Sequence, residues 1–354
     1  SLELDKKDII IIPKLSFWAT YQAVKIFGKN VILVDVDDNY QLDLNLVKEV
    51  LCSHKVKVIL TVHLYGLISN QYQKLVNLCN KHDIILIEDS SQAFGSKFKG
   101  CDILSKSYIS CVSMYPTKIF GSCGNSGFIV TSDDKLAKKI KSYRDNGRKD
   151  TRYDHYFIGG NFVMDTMNAI YNLHKLDYID EIIKCTSFKY QIYQDNLKNL
   201  KFFKIPDLKN QEPNGFNFTI TSLIPYKRDR IISFLRKKGI NTSIIYPKSI
   251  DQQQGYIVNK YDKITDNKIC QNIFSFPIFF DLSAFQQNYV IKNLIDIDNI
   301  NTVVIGCGNM GLKHLNNLLE NKNFNVLGYL DKIKLDIDSK YLNSLENNYI
   351  DFAV

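Results

Sequence analysis

The first 130 or so residues alternate short, nearly uninterrupted apolar runs with amphipathic segments of helical length, and this alternation constrains the fold more than any other feature. A strand that is apolar on both faces must be covered on both faces. A helix placed between two such strands returns the chain so that they run parallel. The runs predict strands over 8–13, 31–36, 55–63, 83–89, 108–115 and 127–131. Helices are expected over 16–27, 43–51 and 70–82, where apolar residues recur on one face. A further helix over 133–148 ends at Asn146-Gly147, a C-cap pair, and residues 164–200 carry long helical periodicity. From about 202 to 280 the pattern changes to a strand over 216–223, a helix over 228–238 and a strand over 241–246, and a third segment opens near 296. The expected organisation is a large α/β domain over 1–200, a smaller α+β domain over 201–295 and a partial strand–helix–strand unit over 298–354.

Composition excludes several classes. The 354 residues are 45% hydrophobic and 23% charged, as in a soluble globular protein with a large core. The net charge of +8 is scattered over predicted helix faces, with no basic stripe interleaved with aromatics, so no nucleic-acid partner is expected. No apolar run is long enough to span a membrane, and no signal peptide is recognisable. The eight cysteines form no CxxC pair, which reads as reduced thiols in a cytoplasmic protein. His54, His82, His155 and His174 have no partners at metal-ligand spacing, so no metal is expected. Both ends read as cut, because the chain opens almost at once in strand-like sequence and stops inside another apolar run.

Two residues carry chemistry. Asp89 closes one predicted buried strand, in Ile87-Glu88-Asp89-Ser90-Ser91-Gln92. Lys118 follows another, in Ser113-Met114-Tyr115-Pro116-Thr117-Lys118. Ligands of open parallel sheets bind beyond the carboxyl ends of the strands, where both fall. A lysine and a carboxylate so placed can hold the two ends of pyridoxal phosphate, the lysine as a Schiff base and the aspartate on the pyridinium nitrogen. Taken singly, such a lysine is more often a solvated surface charge and such an aspartate a helix cap.

The surrounding motifs come in a telling order. They are Leu15-Ser16-Phe17-Trp18-Ala19-Thr20, Val34-Asp35-Val36-Asp37, Val62-His63-Leu64-Tyr65-Gly66, Glu88 to Ala93, Ser113 to Lys118, and Asn161-Phe162-Val163-Met164-Asp165. Together they make residues 8–296 resemble the DegT/StrS sugar aminotransferases, pyridoxal-phosphate enzymes of fold type I. The resemblance implies that Lys118 and Asp89 are catalytic. It implies that Phe17 stacks on the cofactor ring, Gln92 bonds the ring hydroxyl and Ser113 reaches the phosphate. Asn161 would approach the cofactor of a neighbouring subunit, which implies a homodimer with shared sites. The implied substrates are glutamate and a nucleotide-linked keto-sugar. His63 reads as a packing or hydrogen-bonding residue rather than a general base. The sequence departs from the family at Gly124-Asn125-Ser126-Gly127 and at Val163, and it lacks the upstream phosphate-binding segment. A sugar dehydratase of the same fold typically has His at the lysine position, so Lys118 argues against it. A non-catalytic sensor module is the remaining alternative.

In the third segment Gly306, Gly308 and Gly311 follow a short strand, and Asp331 follows a second one. This GxGxxG pattern resembles the start of the Gfo/Idh/MocA oxidoreductases and implies NAD as a possible second cofactor, with another nucleotide as the alternative.

Overall fold

The computed structural model describes residues 2, 4–149, 151–223, 228–259, 261, 269–298 and 300–305, together with 313–314, 317, 324–330 and 352–353. The chain opens with β1 (Ile9–Pro13), α1 (Trp18–Lys25), β2 (Asn30–Val34), α2 (Leu44–Ser53), β3 (Val56–Val62), α3 (Tyr72–Lys81) and β4 (Ile85–Asp89). A small β5 (Lys97–Phe98) and β6 (Cys101–Asp102) precede β7 (Ile109–Ser113) and β8 (Gly127–Thr131). The main sheet has six strands in the order β2-β1-β3-β4-β7-β8. Every pairing from β2 to β7 is parallel, and β8 closes the edge antiparallel to β7.

The physical cause is the one the apolar runs dictate. Ile9 and Ile11 of β1 pack with Val47 of α2 and Leu75 of α3 on one face. Ile10 and Ile12 pack with Tyr21 and Val24 of α1 on the other. Each buried isoleucine removes enough apolar surface from water for about 1.5–3 kcal/mol. Side chains alternate along β4 as well, Leu86 lying on the α2/α3 face while Ile85 and Ile87 lie on the α1 face. The helices start where the sequence supplies a cap: Asp43 accepts from the backbone N–H groups of Asn45 and Leu46, and Asp133 does the same for Lys135 and Leu136.

Then follow α4 (Asp134–Arg144), α5 (Thr166–Leu176) and α6 (Ile179–Leu197), with β9 (Phe203–Lys204), β10 (Gln211–Glu212) and β11 (Phe218–Ser222). The chain continues through α7 (Arg228–Lys237), α8 (Ile269–Asn272), β12 (Ile273–Phe276) and α9 (Ala284–Asp298). A second, three-stranded sheet has the order β12-β11-β9 and is antiparallel. Its Phe218, Ile220 and Phe274 share one apolar cluster with Leu15, Tyr40 and Tyr65 from the opening of the chain.

The expected strand over 241–246 is not one. It makes a single bridge, Ser243 to Ser275, and β12 takes the place beside β11. The reason lies in Tyr246 and Pro247: the tyrosine side chain is engaged elsewhere, and proline cannot donate to a ladder. In the third segment β13 (Ile300–Ile305) pairs parallel with β14 (Phe324–Leu330) and with β15 (Phe352–Ala353). The expected nucleotide-binding residues Gly306, Gly308, Gly311 and Asp331 lie outside the described residues. No helix among the described residues is long and apolar enough to cross a membrane.

Candidate active site

Asp89 is the last residue of β4, and Lys118 lies five positions beyond the end of β7, its neighbour in the sheet. The turn that carries the lysine is closed by a hydrogen bond from the Lys118 N–H to the Tyr115 carbonyl (2.8 Å). Lys118 Nζ sits over the face of Phe216, 5.0 Å from its centroid. Burial lowers the Lys118 pKa below the ordinary lysine value, and the charge of Asp89 opposes the shift. No ion pair joins Lys118 to a carboxylate among the described residues. The amine is therefore desolvated without being neutralised, the condition a nucleophilic lysine needs.

The Asp89 carboxylate is aimed by its own turn, Oδ1 accepting from the Ser91 N–H at 3.0 Å. Its backbone carbonyl accepts from the His63 N–H at the end of β3 (3.0 Å). The Asp89 charge is felt by Tyr246, whose hydroxyl pKa is pushed up to about 12, first by burial.

The remaining candidates fall out unequally. Phe17 is 58% exposed and meets the Tyr246 ring at 5.8 Å. Gln92 is buried and already engaged: Oε1 accepts from the Tyr65 N–H (2.6 Å), and Nε2 donates to the Tyr246 hydroxyl (3.2 Å). Ser113 ends β7, its Oγ accepting from the Tyr115 N–H (3.2 Å). Asn161 is exposed and bridged to Asp145, away from this group. His63 lies beneath the site, bonded to Glu88.

Tyr246, Phe216 and Asn214 were not legible as site residues. Asn214 is fully buried, its Nδ2 donating to the carbonyls of Gln92 and Phe94 (both 2.9 Å) and its Oδ1 accepting from the Phe216 N–H (2.9 Å). It ties the turn after Asp89 to the ring beneath Lys118. Gly66, at φ +79°, leaves the space, since a Cβ there would stand 2.3 Å from Asn214 Oδ1. Past Tyr246 the chain crosses back over β1. There Lys14, 3% exposed, pairs with Asp251 at 3.0 Å, and the Ile250 N–H donates to the Lys14 carbonyl (3.0 Å).

A partly desolvated lysine, a carboxylate one strand away and an exposed aromatic on the rim match the donor set pyridoxal phosphate requires. The α/β architecture and this set define the class, a pyridoxal-phosphate transferase fold. The chain belongs to the DegT/DnrJ/EryC1/StrS aminotransferase family, whose model matches residues 1–295. It is 29% identical over 294 residues to the UDP-N-acetyl-3-dehydro-alpha-D-glucosamine 3-aminotransferase of Acidithiobacillus ferrooxidans, covering 81% of this chain and 76% of that one. It is 27% identical over 293 residues to a "pleiotropic regulatory protein" of Geobacillus stearothermophilus, covering 82% and 78%. Among solved structures, ntda of Bacillus subtilis with bound cofactor PMP superposes with a TM-score of 0.76 at 26% identity, covering 84% and 69%.

Proposed function

We propose that the protein is a pyridoxal-phosphate-dependent sugar aminotransferase that moves an amino group, from glutamate, to a nucleotide-linked keto-sugar. The observation that carries this reading is Lys118, desolvated yet unneutralised, one strand from Asp89. Pyridoxal phosphate, when bound, supplies the carbonyl that exchanges the amino group and a ring that withdraws electrons from the reacting carbon. Lys118 would hold it covalently and would then carry the proton between the substrate carbon and the cofactor carbon. Its lowered pKa leaves more of the amine unprotonated for that task. Asp89 would keep the proton on the ring nitrogen. Phe17 would cover one ring face, Gln92, held by Tyr65 and Tyr246, would bond the ring hydroxyl, and Ser113 would contribute to the phosphate end.

A homodimer with Asn161 reaching the partner's site belongs to the same reading. It is supported by the apolar surface beside Asn161: Ile158, Phe162, Met167 and Leu173 are all well exposed, at 95%, 76%, 74% and 66%. The seven described cysteines are all free, which favours a reducing, cytoplasmic location. The expected smaller domain over 201–295 is supported by its own antiparallel sheet. The parallel pair β13/β14 around a glycine-rich stretch supports reading 298–354 as the start of an NAD-binding unit. A regulatory role is the second reading, drawn from a relative named a pleiotropic regulatory protein.

The test is the visible spectrum of the protein with pyridoxal phosphate before and after glutamate, followed by borohydride trapping and peptide mapping. A lysine adduct at Lys118 that glutamate bleaches supports the transferase. An adduct elsewhere, or none, would install the regulatory reading.

A further inference from the structure

Glu88 and Asp89 are successive residues of β4 and project to opposite faces of the sheet, as strand geometry requires. Asp89 enters the site, whereas Glu88 enters a sealed network. Glu88 and His63 are each 1% exposed. Glu88 Oε2 meets His63 Nε2 at 2.7 Å, and Oε1 accepts from the Tyr72 hydroxyl of α3 at 3.0 Å. Burial and the Glu88 charge together push the Tyr72 pKa far up, so its hydroxyl stays a donor. Carboxylates are rarely buried without such partners, because an unpaired one costs several kcal/mol.

His63 grips both residues at once. Its ring holds the Glu88 carboxylate, and its backbone N–H holds the Asp89 carbonyl (3.0 Å). From the other side Ser110 of β7 donates to the Glu88 carbonyl (3.3 Å) and to Ser90 Oγ (2.7 Å). The end of β4 is thus fixed from α3, β3 and β7, and its last side chain, the Asp89 carboxylate, projects the other way.

We infer that Glu88, His63 and Tyr72 form a positioning unit that sets the orientation of the Asp89 carboxylate from the opposite face of the sheet. None of the three touches cofactor or substrate. This deepens the aminotransferase reading and rests on its assignment of Asp89 to the pyridine nitrogen. Misplacing a reacting group by about 1 Å can cost up to about 100-fold in rate. Glu88→Gln keeps the shape and loses the charge-assisted bond, and Tyr72→Phe removes a single donor without opening a cavity.

The experiment is the ¹⁵N resonance of ring-labelled pyridoxal phosphate bound to the full chain, read beside kcat and KM for glutamate, with Asp89→Asn as reference. Wild type is expected in the protonated range and Asp89→Asn in the unprotonated range. Glu88→Gln should move part of the way, with kcat down about tenfold and KM within about twofold. Tyr72→Phe should move less, in the same direction. Folded Glu88→Gln and Tyr72→Phe proteins with wild-type ¹⁵N shifts would overturn the positioning role and leave the aminotransferase reading intact. A wild type that binds no cofactor, or holds it unprotonated, would overturn both.

Discussion

Lys14 and Lys118 stand just past the carboxyl ends of β1 and β7, strands of one sheet, and both give up water there. Lys14 is met by Asp251 at 3.0 Å, brought back across the strand by a segment from far along the chain. Lys118 receives a ring face and a carboxylate that biases its charge without joining it in an ion pair. The first arrangement spends its electrostatics on holding two segments together. The second leaves an amine available. The same residue type, beyond the carboxyl ends of two strands of one sheet, is ion-paired in one case and left without a joined carboxylate in the other.

The largest effect that sharpens this contrast is on turnover. Lys118→Ala, and equally Lys118→Arg, should reduce amine transfer from labelled glutamate by about 1000-fold or more, because neither can bond the cofactor as the lysine does. Lys14→Met should leave that transfer within about tenfold.

On stability the order reverses. Asp251→Asn removes the carboxylate charge that faces Lys14, a residue 3% exposed, and should destabilise the protein by roughly 2 kcal/mol in urea unfolding. Asp89→Asn in the cofactor-free protein should cost under about 1 kcal/mol, since the amide oxygen can still accept from Ser91. Removing both ionic partners, as Lys14→Met with Asp251→Leu, should return stability to within about 1 kcal/mol of wild type. A double variant as weak as Asp251→Asn would show that Lys14 does more than neutralise its partner.

The smallest effect concerns pH. The folded-state pKa of Lys118 is lowered, so the unfolded chain binds the extra proton between that value and the ordinary 10.5. The cost of burying its charge is full below the folded pKa and is relieved as pH rises toward 10.5. Lys118→Met should therefore raise the Tm of the cofactor-free protein near neutral pH by a few degrees at most. The gain should shrink in alkaline buffer, and a gain independent of pH would mean that packing, not charge, is its source.

What sequence reasoning could reach follows the same division. The continuous apolar runs named the six strands of the main sheet, because burial on both faces writes itself into local composition. The positions of Asp89 and Lys118 beyond strand ends were legible because the strands themselves were. The partners of Gln92 were not legible, since Tyr65 and Tyr246 approach from other segments. Lys14 with Asp251, Phe216 beneath Lys118, and Asn214 behind Gly66 are pairings between distant segments, and no local periodicity records them. The segment over 241–246 misled because a half-apolar run before a proline resembles a strand, while its tyrosine was needed at the rim.

The return of Tyr246 to Gln92 spans 154 positions. On a ribosome the parallel sheet can assemble while that tyrosine is still unsynthesised or inside the exit tunnel. Lys118 and Asp89 would then already face one another across a cleft with no rim. Contacts of such long separation form late, since loop closure precedes their reward. Closure of the rim over that cleft is thus deferred until Tyr246 has left the tunnel, and a chain released earlier would carry Lys118 and Asp89 without it.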